Sequence, residues 1–178
     1  MKFSWKLCLI ILAVVAALVL AFVFGFQGVQ NKAIGLEEQI TTAQSEIKIQ
    51  EKRRADLIPN LVDCVKSYNE HEYNTLQGVI AERGAGSDEA VTQVMLTVER
   101  YPELKSNENY KQLMTELATT ENLIKNTRSN YNTWVTKYNS YVRKFPNRSI
   151  LSTLGYEVQT FSKLDYNVSS DAPTNLFD

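Results

Sequence analysis

Residues Leu7 to Phe26 contain no charged side chain, and this run constrains the chain more than any other feature. Twenty helical residues at about 1.5 Å each span about 30 Å, the thickness of a bilayer's hydrocarbon core. Ionisable residues stop at Lys6 and resume at Lys32. Two other readings compete with a membrane anchor. A secretory signal peptide has an apolar stretch of roughly 7–15 residues followed by a small-residue cleavage site. Here the best cleavage candidate, Val19-Leu20-Ala21, lies inside the run, with Phe22, Val23, Phe24 and Phe26 beyond it. A buried core helix is usually shorter and less uniformly apolar. Length therefore favours an uncleaved anchor. Cys8 follows Trp5-Lys6-Leu7 and precedes the apolar run, so it lacks the setting of a lipid-attachment cysteine.

Flanking charge sets the expected orientation. Lys2 and Lys6 precede the run, whereas Lys32 is followed closely by Glu37 and Glu38. The positive-inside rule then keeps residues 1–6 in the cytoplasm, runs 7–26 through the membrane and exports the rest.

The 152 residues after Phe26 make one ordinary domain. The chain has 19 basic and 20 acidic residues; setting aside Lys2 and Lys6 leaves 17 against 20, about −3 for the domain. Such a balance favours neither nucleic acid nor a polybasic grip on anionic lipid. Cys8 and Cys64 fall on different sides of the membrane boundary, so no internal disulfide is expected. Cys64, on an apolar helix face, reads as a small packed residue. The fold must rest on its core.

Everything after the run reads as helix. Leu36, Ile40, Ala43 and Ile47 recur at steps of four and three, one helical face. This predicts a helix from the anchor to about Asp56, kinked or restarted at Pro59, which lacks a backbone donor. Leu61, Val62, Val65, Leu76, Val79 and Ile80 continue the apolar face to Arg83, and Gly84-Ala85-Gly86 forms a loop. Ser87 followed by Asp88 and Glu89 is a helix start, with Val91, Val94, Met95 and Val98 as its stripe and Tyr101-Pro102 as its stop.

The strongest pattern comes last. Tyr110, Leu117, Ile124, Tyr131, Tyr138 and Phe145 fall every seventh residue, flanked by Leu113, Trp134 and Tyr141 and by Met114, Val135 and Val142. A strict heptad means left-handed helix packing, as in a coiled coil or bundle. Pro146 ends it, Ile150 to Leu164 suggests a short final helix broken at Gly155, and 166–178 reads as a flexible tail. The expected fold class is all-α: a transmembrane helix, then an elongated antiparallel bundle over 27–165. Two seam positions break the apolar rule. Glu121 and Arg128 stand about 10.5 Å apart along a helix, too far for a simple direct pair. They are expected to meet Arg53, Arg54 and Asp56 of the first arm, as a Glu121–Arg pair and an Arg128–Asp56 pair that fix register. A polar ligand site is the alternative.

The stretch from Lys52 through Arg53, Arg54, Ala55, Asp56, Leu57, Ile58, Pro59, Asn60, Leu61 and Val62, with Val65-Lys66 and His71-Glu72, resembles the LemA family of bacterial membrane proteins. So do Tyr101-Pro102-Glu103-Leu104-Lys105, Glu121 with Arg128, Tyr131 and Asn132, then Tyr138-Asn139 and Phe145-Pro146. These blocks run from about residue 30 to 165. One departure is Ala43-Gln44, where the family usually has Ala-Trp. The resemblance implies an N-terminal membrane helix and a long antiparallel helical domain, and supplies no enzyme reaction; in a bacterial protein the charge bias then puts the domain on the periplasmic side of the inner membrane.

Catalysis has little to stand on. His71 is the single histidine, and lies seven residues from Cys64, beyond the reach of a nucleophile–base pair. Ser67 is one turn from His71 without a third partner. No zinc-ligand spacing is present, Gly84-x-Gly86 lacks the lysine of a phosphate cradle, and Glu37-Glu38 and Glu70/Glu72 read by default as solvated acids. The Asn147 and Asn167 sequons carry no weight in a bacterial protein. No cofactor or metal is expected. The expected role is a non-enzymatic scaffold: the anchor and first arm form one rod, and subunits pack side by side through exposed Tyr and Asn residues as a homo-oligomer on the bilayer. The alternative is a monomeric adaptor that recruits an envelope protein, such as a protease or signalling complex, through Arg53–Asn60 or the Gly84–Ser87 tip. Pro59, Asn60, Tyr131, Asn132 and Asn139 complete the interaction candidates.

Overall fold

A computed structural model describes residues 5–165. Every regular element among them is helical. In chain order these are α1 (Trp5–Lys66), α2 (Glu70–Arg83), α3 (Asp88–Arg100), a short 3-10 turn (Pro102–Ser106), α4 (Glu108–Arg143) and α5 (Asn147–Thr153). Residues 1–4 of the expected cytoplasmic start, the expected tail at 166–178 and the side chains of Lys6, Leu7, Cys8 and Val98 lie outside the described residues. The chain forms two compact units: Ile40–Tyr131, and the segments up to Gln39 and from Asn132 onward.

α1 does not stop at Asp56. It runs unbroken through Pro59 to Lys66. Pro59 removes one backbone bond, at a cost of about 3 kcal/mol in a helix interior. Ile58, Leu61 and Val62 around it are fully buried, and each such side chain contributes about 1.5–3 kcal/mol. Packing outweighs the proline. The actual break falls at residues 67–69, where Asn69 starts α2 by accepting a hydrogen bond from the Glu72 N–H at 3.0 Å.

Within Ile40–Tyr131, one core joins Leu57, Leu61 and Val65 of α1 to Leu76 of α2, Val94 of α3, Leu104 of the turn and Tyr110 and Leu117 of α4. Ser87 caps α3 as its sequence predicts, its hydroxyl accepting from the Ala90 N–H at 3.1 Å. Gly84, at φ +87°, takes the left-handed conformation that ends α2. Gly86 packs so closely on α1 that a Cβ there would meet the Ala55 Cβ at 3.1 Å.

The other unit is built around Ala33 of α1, Val135, Tyr138 and Val142 of α4, and Leu151 of α5, all buried. Of the expected short helix over Ile150–Leu164 with its break at Gly155, only the part before the break forms, within α5. α5 ends at Thr153, Gly155 reverses the chain at φ +67°, and residues 156–165 have no regular structure. Phe161 sets its ring edge-on against Tyr138 at 5.2 Å.

The heptad of α4 is a buried seam from Tyr110 to Tyr138, but its last member departs. Phe145 is 85% exposed. α4 ends at Arg143, so Phe145 no longer inherits the helix face that buried Tyr138. Leu9 to Phe24 of α1 is exposed apolar surface, and α1 is long and apolar enough there to cross a membrane.

Candidate functional site

The polar residues of the Ile40–Tyr131 unit gather where α1, α3 and α4 meet. Buried positions on α1 recur at alternating three- and four-residue steps: Ile40, Ala43, Ile47, then Arg54, Leu57 and Leu61. Arg54 thus occupies a core position with a charged head. Its side chain is 6% exposed, and its Nη1 donates to Asp88 at 2.8 Å and Glu121 at 3.4 Å. The Nε of Arg54 is buried without a partner, as is the Oε1 of Gln50 one turn earlier.

Around this centre stand two more exposed pairs. Arg53 donates to Glu116 Oε1 from Nε at 3.2 Å and Nη2 at 2.7 Å. Arg128 donates to Glu51 at 2.7 Å, not to Asp56 as the sequence suggested. The reason is the direction of the two helices. With Arg54 against Glu121 in an antiparallel helix pair, seven residues forward on α4 must meet a residue earlier on α1. Asp56 lies later. It is exposed, and its backbone carbonyl accepts the Asn60 side-chain amide at 2.9 Å. Tyr131 is buried in the α4 seam.

A separate ion pair links α2 to α3. Glu72 is buried, and accepts from Arg100 Nη1 at 2.9 and 3.0 Å and from Thr97 at 3.4 Å. It is not a solvated acid. The spacing Asn69-x-x-Glu72 was the available signal, since a capping residue followed three later by Glu marks a helix start.

In the other unit, Glu37 is likewise committed. Tyr138 and Tyr156 both donate to its Oε1, at 2.7 and 2.5 Å. Tyr138 in turn accepts the Gln159 N–H at 3.0 Å. Burial, then the Glu37 bond, raises the hydroxyl pKa of both tyrosines. Glu37 sits four residues after Ala33 and three before Ile40, a core spacing that marked it. Asn139 donates to the Phe161 carbonyl at 3.1 Å, and Asn132 grips Leu164 through both its amide atoms.

Chemistry elsewhere is sparse. Burial, then the Asp63 charge, raises the Cys64 thiol, which leaves it protonated and weakly nucleophilic at neutral pH. His71 is exposed on α2. No group of three potential metal ligands occurs among the described residues. An open groove of about 540 Å³ runs along Arg53, Gln112, Thr115 and Glu116. The expected exposed tyrosines are mostly absent from the surface: of the described ones Tyr68 alone is exposed, while the others pack.

These features define a class: an all-α protein with an N-terminal helix able to span a bilayer and a helical domain keyed by buried polar contacts. The LemA family model matches residues 43–177, and the chain belongs to the LemA family. It is similar to Protein LemA of Metamycoplasma hominis, 27% identical over 157 residues, which cover 79% of this chain and 72% of that relative. Arg54, Glu121, Arg128, Asn132 and Asn139 all lie inside the matched region.

Proposed function

We propose that this chain is a non-enzymatic, single-pass scaffold of the bacterial inner membrane, with its helical domain on the periplasmic side, that self-assembles into a homo-oligomer. The observation that carries the reading is α1. Its first part exposes apolar side chains all round, including Ile10, Leu18, Phe22 and Phe24, and a helix apolar on every face needs lipid or protein around it. Its later part is a packed arm of the domain. Lys2 and Lys6 before the run support the proposed orientation. The charged clusters are engaged between helices, in keeping with a structural use.

The test is the mass of the full-length protein in mild detergent and in nanodiscs. A closed multi-subunit particle that weakens when residues 1–30 are removed supports the scaffold. A strictly monomeric full-length chain overturns it. A monomer would favour the adaptor reading, whose supporting observation is the open groove beside the exposed Arg53–Glu116 pair. In that case Arg53→Glu abolishes partner capture in native membranes while leaving helicity intact.

A further inference from the structure

Phe145, at the turn between α4 and α5, is the most exposed large apolar side chain among the described residues. It stands among cations. Arg143, Lys144 and Arg148 surround it in sequence and are exposed. From Asn122 to Tyr156 the chain has six basic residues and no acidic one. The near-neutral balance of the whole domain conceals this.

Its height along α1 follows from contacts within its own unit. Tyr138 bonds Glu37 at 2.7 Å, Tyr141 donates to the Val29 carbonyl at 3.2 Å, and Lys32 Nζ lies 5.3 Å from the Tyr141 ring centre. α4 therefore runs antiparallel to α1 here. α4 ends two residues beyond Tyr141, about 3 Å further on, and Phe145 follows in the turn after it. Four residues back from Val29 is Gly25, at the end of the uncharged run. Phe145 is thus level with the place where apolar surface gives way to polar.

Just beyond this level, Lys32, Lys137 and Lys144 line one open groove of about 410 Å³, with Leu36 and Tyr141 on its walls and no carboxylate. Lys32 lies six residues past Phe26, about 9 Å. Lysine stems lie along apolar walls while the ammonium reaches for a polar layer, and the headgroup layer is about 5–7 Å thick on each side. Charge attraction fades over about 8 Å at physiological salt, so the local set counts most, and the carboxylate next to the groove, Glu37, is engaged by the Tyr138 and Tyr156 hydroxyls.

We propose that the α4–α5 corner is a second membrane contact. Phe145 seats at the hydrocarbon–headgroup boundary, and the Lys32–Lys137–Lys144 groove holds the phosphate of an anionic phospholipid. The proposal rests on residues 7–26 spanning that bilayer, and the experiment separates the two. Phe145 and Lys144 are both exposed, so changing either removes no packing.

Full-length protein carrying Cys8→Ala, Cys64→Ala and Phe145→Cys is labelled with nitrobenzoxadiazole in nanodiscs containing phosphatidylglycerol. A blue-shifted label quenched by headgroup-level nitroxide lipid is expected. A label at Leu18→Cys reports the span through deep nitroxide lipid. If the Leu18 label responds while the Phe145 label answers only to aqueous iodide, the anchor stands and the corner contact is overturned. If the Leu18 label is also silent to lipid, both readings fall. Native mass spectrometry tests the groove: the otherwise unaltered chain retains phosphatidylglycerol over phosphatidylcholine, and Lys144→Gln lowers that preference by roughly fivefold. An unchanged preference removes the groove from the proposal.

Discussion

Asn132 holds Leu164 by both of that residue's backbone groups: its Nδ2 donates to the Leu164 carbonyl at 2.9 Å and its Oδ1 accepts the Leu164 N–H at 2.8 Å. The side-chain amide thus does what a neighbouring strand would do. Asn139 repeats half of the arrangement on Phe161. The spacing explains why two asparagines suffice. Seven helical residues rise about 10.5 Å, and three extended residues cover about 10 Å, so positions 132 and 139 match 164 and 161. Asn132→Ala is expected to cost about 1–3 kcal/mol, because two backbone groups lose their partner together. Hydrogen exchange would show lost protection at Leu164 with α4 unchanged. Retained protection at that amide would mean that Phe161 packing alone holds the segment.

Arg54 is the vulnerable member of its cluster because it is the buried one: its side chain is 6% exposed, against 80% for Asp88 and 33% for Glu121. Either acid alone still neutralises it. Asp88→Ala and Glu121→Ala are each expected to be mild, and the double variant to cost about 3–5 kcal/mol, since an unpaired charge is then buried. Arg54→Met frees two acids that water can reach, and is expected to cost less than the double variant. Urea unfolding of the four proteins measures the non-additivity; strictly additive losses would show that the two acids act independently.

Much of this was legible in the residues. The seven-residue spacing of Tyr110 to Tyr138 marked the α4 seam, and Glu121 stood out as a seam acid needing an arginine from α1. Other features required the fold. Pro59 reads locally as a helix breaker, although the three-and-four stepping of apolar residues continues past it in phase. The Arg128–Glu51 pair depends on the direction of α1 relative to α4, which no single helix encodes. Residues 156–165 have no pattern of their own because side-chain amides and a tyrosine hydroxyl from α4 hold them. Glu37 looked like half of a solvated Glu-Glu pair because its partners, Tyr138 and Tyr156, come from about a hundred residues away.

Gly86 offers a test of close packing. A Cβ at this position meets the Ala55 Cβ at 3.1 Å, with the Glu51 carbonyl at 3.6 Å. Gly86→Val is expected to destabilise by about 1–3 kcal/mol through overpacking. Ala55→Gly in the same chain should restore part of the loss despite costing about 1 kcal/mol of helix propensity. Thermal unfolding of the single and double variants decides it: if Ala55→Gly only adds to the damage, the loop does not rest on α1.

The tyrosines make the fold sensitive to alkali. Burial raises the hydroxyl pKa of Tyr110, Tyr138, Tyr141 and Tyr156 above the ordinary value of 10.0, and for Tyr138 and Tyr156 the bond to Glu37 adds to it. A raised tyrosine pKa favours the protonated form in the folded chain. Its contribution is fully present below about pH 10, where the unfolded chain is also protonated, and declines as pH rises further because only the unfolded state releases the proton. Urea midpoints should therefore be flat through neutral pH and fall above about pH 10. Ultraviolet titration should show these four hydroxyls ionising above the ordinary tyrosine value of about 10, in step with unfolding. Tyr156→Phe removes one donor to Glu37 and one late hydroxyl, so its midpoint should be lower at neutral pH and decline less steeply in alkali. An equally steep decline would place the alkaline sensitivity in Tyr110, Tyr138 and Tyr141 instead.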